Sequence, residues 1–378
     1  MRHPNNIMHA MALQGYGPEA MLGAYEGWSV ADVEQLWIDT ALSQDRPVRP
    51  YGTLGIRPAR SRYFNFTEHG FRGDGTDQPW PPRRDHLVVF CFGNSTTLGF
   101  NVADDQTVPA ALQARLRARG VEADVYNFGQ NTYTSRHAFV SMLDLADRGI
   151  FPDVAVILEG FNESHYAFGN PNLVRHLDRL YQTERRQKKL PLFAAIADGI
   201  GRTWREHMAA IPDSFSWALP PEYERFSWYM TDEAVAHALS APDDHPGMPL
   251  DDAVADLAWR NYRTSVGLIE ALGAEGGCRP LFAWQPVALF ATRPQQRLLE
   301  RLYYTLRQGS LCAPVYRSLA RRGFPGMAAR PNFIDLSRLV MEFDGLAYID
   351  HCHYTPRFAI AIAERLAGEV MATISGRS

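Results

Sequence analysis

Apolar runs of strand length alternate along this chain with stretches whose apolar residues recur at helical spacing. The first run is Leu87-Val88-Val89-Phe90-Cys91, with no polar residue interleaved. A run of that kind suits a strand buried on both faces of a sheet. Residues 106–119 follow, with Val108, Leu112 and Leu116 at helical spacing and Gly120 as the stop. Residues 121–126 predict a second strand, 134–147 a second helix, and 154–158 a third strand introduced by Pro152-Asp153. The alternation breaks over 164–248 and then resumes. Residues 251–272 predict a long helix, 279–284 a fourth strand ending at Gln285-Pro286, 293–322 two helices and 332–336 a fifth strand. Phe358, Ile362, Leu366 and Val370 form the apolar stripe of a closing helix. Strand and helix in this order predict a flavodoxin-like three-layer α/β/α fold around a five-stranded parallel sheet.

Upstream, residues 29–43 read as a helix with Ser29 as N-cap. Pro47, Pro50, Pro58 and the aromatic stretch Tyr63-Phe64-Asn65-Phe66 follow, the pattern of an arm wrapping the main domain. The expected organisation is an N-terminal helix and arm over 1–85, a main α/β domain over 86–163 and 249–378, and an inserted cap over 164–248. The insertion holds a basic run, Arg185-Arg186-Gln187-Lys188-Lys189, read as a solvated helix face. Its aromatic cluster, from Trp204 to Tyr229, is read as core rather than a ligand box.

Composition changes this picture little. A net charge of -4 gives no basic field for nucleic acid. Residues 7–13 are too short for a signal-peptide core and are interrupted by His9, so neither a signal peptide nor a membrane span is expected. Cys91, Cys278, Cys312 and Cys352 are scattered, which reads as reduced thiols in a cytoplasmic protein. No metal is expected: His351, Cys352 and His353 are adjacent, and neighbouring side chains diverge. No cofactor motif is present either. Gly93 to Gly99 lacks both the spacing and the lysine of a phosphate-binding loop.

The chemistry gathers where strands end. Ser95 lies in Phe92-Gly93-Asn94-Ser95-Thr96-Thr97-Leu98-Gly99, directly after the first strand. Parallel strands share one carboxyl edge, where ligands collect. Serine needs a base to become a nucleophile. Asp350-His351-Cys352-His353 follows the fifth strand and returns to that edge. The i, i+3 spacing of Asp350 and His353 puts carboxylate and imidazole on one side of a turn; His351 competes but points elsewhere. Donors for an oxyanion come from the turn 127–135 and from the Asn162 amide in Gly160-Phe161-Asn162-Glu163.

These four segments, in this order, resemble the signature blocks of the SGNH (GDSL-type) hydrolases. Asn65-Phe66-Thr67-Glu68-His69-Gly70-Phe71-Arg72 resembles the segment that precedes the catalytic domain in many bacterial members. The resemblance implies Ser95 as nucleophile, His353 as base and Asp350 as its orienter. It implies an oxyanion hole of the Ser95 N–H, the Asn162 side chain and a second-block N–H, from Thr132 or Gly129. Three positions depart from the pattern: Asn94 stands for Asp or Gly, Glu163 for Asp, and Thr132 for the second-block glycine. Asn94, Glu163, His165 and Gln285 are read as substrate contacts, and Arg72 as a structural tie for the arm.

The expected activity is hydrolysis of an acyl ester, acetyl included, on a small molecule or glycan, through an acyl-enzyme. One rival shares the acyl-enzyme but passes the acyl group to a sugar or other alcohol. A second is a non-catalytic binding module on the same fold, motivated by the three departures. Residue by residue, Ser95 could instead cap the helix that follows it, and Asn162 could form a turn.

Overall fold

A computed structural model describes residues 22–44, 46–165, 252–290, 312–350 and 352–376. The expected inserted cap, nearly all of it, and the first of the two helices expected over 293–322 lie outside the described residues. Among the described residues, five parallel strands run β1 (Leu87–Gly93), β2 (Ala123–Asn127), β3 (Val154–Glu159), β4 (Arg279–Trp284) and β5 (Phe333–Asp335), in the spatial order β2-β1-β3-β4-β5. This is the flavodoxin-like order, with its switch point between β1 and β3. The helices are α1 (Val30–Ala41), α2 (Ser95–Leu98), α3 (Val108–Ala118), α4 (Ser135–Ala146), α5 (Phe161–His165), α6 (Asp252–Gly276), α7 (Cys312–Arg321), α8 (Leu339–Glu342) and α9 (Pro356–Ser375).

The side-chain alternation of β1 explains the three layers. Val88, Phe90 and Phe92 face one core with α4, α6 and α7, where Met142, Tyr262, Ile269 and Leu319 are buried. Val89 and Cys91 face the other, built with Leu112 and Leu116 of α3 and Phe358, Ile362 and Leu366 of α9. Both faces are dry, so the strands are apolar throughout. No helix among the described residues is long and apolar enough to cross a membrane. Cys91, Cys278 and Cys352 are buried free thiols.

Residues 22–85 lie against the sheet domain. Ser29 caps α1 in a reciprocal capping box with Asp32. The Tyr25 hydroxyl donates to the Asn101 carbonyl at 2.7 Å. Arg72 pairs its backbone with Asn127, beside β2, and is itself buried. Its guanidinium donates to the carbonyls of Leu98, Gly99 and Val102 and to the Asp104 carboxylate. A cation therefore sits at the carboxyl end of α2, where unpaired helix carbonyls need donors.

Candidate active site

The chain turns sharply after β1 because Gly93 carries no side chain. A Cβ there would lie 2.1 Å from the Thr97 hydroxyl and 2.5 Å from the Leu158 carbonyl oxygen. Asn94 then caps α2, its Oδ1 accepting from the Thr96 N–H at 2.9 Å. The cap is thus Asn94 and not Ser95, which leaves the Ser95 hydroxyl free for other work. Ser95 is the half-exposed residue of an otherwise buried turn.

One hydrogen bond joins Ser95 to the segment after β5, and a second orients the imidazole within that segment. Ser95 Oγ lies 2.8 Å from His353 Nε2, across 258 residues of sequence. His353 Nδ1 lies 2.6 Å from Asp350 Oδ2. Asp350 is buried, and its Oδ1 accepts from the N–H groups of Cys352 and His353. A carboxylate can only accept, so Nδ1 carries the proton and Nε2 faces the serine as an acceptor. Phe100 packs on the imidazole with ring centres 4.9 Å apart. Asp350, Cys352 and His353 also place ligand-type atoms within 4.8 Å of one another. Both imidazole nitrogens are already hydrogen-bonded, to Asp350 and to Ser95. His351 lies outside the described residues.

The second-block loop reaches the same edge. Its Phe128 and Gln130 N–H groups donate to the Cys91 and Gly93 carbonyls, extending the pairing with β1. Gly129 lets the loop touch α2, since a Cβ there would lie 2.2 Å from the Leu98 nitrogen. The Gly129 N–H already has a partner, donating to Asn127 Oδ1 at 3.0 Å. The N–H of Thr132 makes no hydrogen bond among the described residues. Thr132 has a φ of 64°, the left-handed conformation that glycine adopts freely. For a β-branched residue this costs about 1–2 kcal/mol, so the departure from glycine kept the backbone shape and added strain. Asn162 is buried, and its amide donates to the Tyr133 carbonyl at 2.7 Å, which ties the third block to the second.

Three expected substrate contacts turn inward instead. Asn94 is buried, with Nδ2 donating to Glu159 Oε2 at 2.9 Å and to Gln285 Oε1 at 2.6 Å. Gln285 is buried beneath it, donating to the Tyr354 hydroxyl at 3.3 Å and accepting from the Phe161 N–H at 3.2 Å. Asn94, Gln285 and Tyr354 thus link the serine turn to the histidine segment. Glu163 accepts from the N–H groups of Ser135 and Gly160, joining α4 to the end of β3. All three are polar because a close junction of backbones needs partners, not because a ligand does. The side chain of His165, the fourth expected contact, lies outside the described residues.

Sequence reasoning missed Glu159, the last residue of β3, which shows no exposed surface. Its Oε1 has no donor among the described residues. Burial and the neighbouring Glu163 carboxylate hold its pKa well above the ordinary 4.5. Unfolded, this group loses its proton near 4.5; folded, it keeps it to higher pH. Its contribution to stability is therefore complete below 4.5 and declines as pH rises, by at most about 1.4 kcal/mol per pH unit. Glu159→Gln keeps the acceptor for Asn94 and needs no proton. Its urea midpoint should fall less than that of the unaltered protein between pH 5 and pH 8. Equal falls would contradict a protonated Glu159. The one sequence signal was a carboxylate closing an apolar run.

The parallel α/β/α sheet thus joins serine, histidine and aspartate at its carboxyl edge, the arrangement that an activated serine requires. Residues 91–267 match the model of the GDSL-like Lipase/Acylhydrolase family, from the end of β1 into α6. That span is a hydrolase domain of the GDSL type. The matched span holds Ser95, Thr132 and Asn162 and ends before Asp350 and His353. Among solved structures, the chain is similar to a carbohydrate acetylesterase from Sinorhizobium meliloti at 14% identity, covering 76% of this chain and 99% of that one, with a TM-score of 0.33. It is similar to the acetyl xylan esterase AlAXEase at 11% identity, covering 76% and 100%, with a TM-score of 0.32. A member of the lipolytic G-D-S-L family from Veillonella parvula DSM 2008 follows at 10% identity, covering 75% and 98%, with a TM-score of 0.34. No curated protein matches the sequence.

Proposed function

We propose that this chain is an esterase that cleaves a carboxylic acyl ester through an acyl-enzyme on Ser95. The observation that carries the reading is the relay of 2.8 Å from Ser95 to His353 and 2.6 Å from His353 to Asp350. Ser95 Oγ attacks the ester carbonyl carbon as its proton passes to His353 Nε2. Asp350 stabilises the imidazolium and holds its orientation. The carbonyl oxygen becomes an oxyanion, which accepts from the Ser95 N–H, the Thr132 N–H and the remaining amide hydrogen of Asn162. Collapse breaks the bond to the alcohol oxygen, which leaves with the proton from His353. Water then attacks the acyl carbon with His353 as base, releasing the carboxylic acid and restoring Ser95.

The departures at Asn94, Thr132 and Glu163 fit this reading, because each has a place in the framework that leaves the relay intact. A fluorophosphonate probe tests it directly. The probe should form one adduct, on the peptide bearing Ser95, and abolish hydrolysis of p-nitrophenyl acetate in proportion to labelling. Esterase activity that persists at full labelling would overturn the assignment. A series of p-nitrophenyl esters and acetylated glycans, run with the same protein, reads out the acyl group accepted.

A further inference from the structure

The arm takes hold of the loop that carries Thr132. The Ile56 N–H donates to Gln130 Oε1 at 3.1 Å. Asn131 Nδ2 donates to Ser43 Oγ at 3.0 Å. Arg46, buried between them, donates from Nη2 to the Asn131 carbonyl at 2.6 Å and from Nη1 to Thr132 Oγ1 at 3.0 Å. Nη2 also reaches the Leu54 carbonyl of the arm itself at 3.3 Å. Three consecutive loop residues are therefore fastened to a segment more than 70 positions earlier in the chain.

This grip falls on the residue that most needs it. Thr132 is held at a φ of 64° although a β-branched side chain disfavours that region. Strain of this kind persists only where the surroundings over-determine it. The surroundings here include the Arg46 guanidinium, from which the Thr132 hydroxyl accepts while it donates to the Asn131 carbonyl at 2.6 Å. Its planar fork takes the carbonyl before Thr132 and the hydroxyl on Thr132 together, fixing the orientation of the peptide between them, which contains the Thr132 N–H. A lysine ammonium in that place would bring its charge without the fork. The hydroxyl is the handle, and glycine at this position would offer none.

We propose that Arg46 is a positioning residue for ester hydrolysis, clamping Thr132 so that its backbone N–H faces the oxyanion formed at Ser95. This rests on the reading of Ser95 as nucleophile and Thr132 as oxyanion donor. The arm is then part of the oxyanion hole and not only a wrapping. Glycine supplies the left-handed backbone by its own freedom; this chain supplies it with threonine and a clamp.

The test is a mutant cycle read as kcat and KM for p-nitrophenyl acetate, with unfolding midpoints measured alongside. Arg46→Ala and Arg46→Lys should each lower kcat by about 30- to 100-fold, because a donor displaced by an ångström or removed costs about that much. KM should stay within about twofold, since the interaction belongs to the transition state. Arg46→Lys keeps the aliphatic stem and the charge, so it covers the case in which Arg46→Ala does not fold. Thr132→Gly placed on Arg46→Lys should recover at least roughly tenfold in kcat, because glycine takes the left-handed conformation unaided. A role confined to holding the arm down would lower the midpoint and leave Thr132→Gly without effect on kcat. Folded Arg46→Lys with kcat within twofold of the unaltered protein, or a double variant no faster than Arg46→Lys, overturns the proposal. Ser95→Ala, assayed in parallel, separates the two readings. If it keeps its turnover, the nucleophile assignment falls and the clamp's role in hydrolysis falls with it. If it is inactive while Arg46→Lys is unimpaired, only the clamp is wrong.

Discussion

Ser95→Ala should hydrolyse p-nitrophenyl acetate at least about a thousandfold more slowly than the unaltered protein, with its unfolding midpoint unmoved. The size follows from what is lost: the attacking oxygen is gone, while the Ser95 N–H, Thr132 and Asn162 remain to polarise a carbonyl. The stability half of the result follows from Asn94. It is Asn94 that caps α2, accepting from the Thr96 N–H and hydroxyl, so removing the Ser95 hydroxyl removes no cap. Its other partner, His353, stays fixed by Asp350 at 2.6 Å. Stability should therefore change by no more than about 0.5 kcal/mol. Steady-state kinetics and a urea titration on the same preparation check both halves. Turnover within tenfold of the unaltered protein would remove Ser95 from the chemistry.

Asp350→Asn should cost about 10³- to 10⁴-fold in kcat while leaving the site assembled. Asparagine keeps one carbonyl oxygen, which can still accept from the Cys352 and His353 N–H groups as Oδ1 does. Its amide NH₂ then faces His353 Nδ1. That nitrogen must become the acceptor, so the ring proton moves to Nε2 and points at Ser95 Oγ. The base then presents a donor where it needs a lone pair. Loss of fluorophosphonate labelling in step with kcat is the expected signature. Labelling at the unaltered rate would mean that Asp350 does not set the tautomer.

Much of this architecture is legible in the sequence because the physics behind it is local. A strand dry on both faces has to be an apolar run, and β1 and β3 announce themselves that way. α9 shows its buried stripe at Phe358, Ile362 and Leu366. The meeting of Ser95, Asp350 and His353 is legible because each follows a strand and a parallel sheet gives all its strand ends one edge. The polar residues around them are not legible in the same way. Asn94, Gln285 and Glu163 sit where a substrate contact would sit in sequence, and nothing local says whether an amide at a strand end faces a ligand or a neighbouring turn. The structure turns all three inward. The choice between Gly129 and Thr132 was equally closed to sequence. It depends on whether an N–H is already occupied by the Asn127 side chain and on a guanidinium 86 residues away.

The separation between Ser95 and His353 has a consequence for how the protein is made. The serine turn, the second-block loop and Asn162 follow the three neighbouring strands β1, β2 and β3, all made well before β5. The imidazole is synthesised 258 residues after the hydroxyl it faces. A growing chain can therefore carry the serine turn without an acceptor for the serine proton until the segment after β5 is made. Proteolytic fragments cut before Asp350 share that condition. On the proposed chemistry, esterase activity waits for the segment after β5.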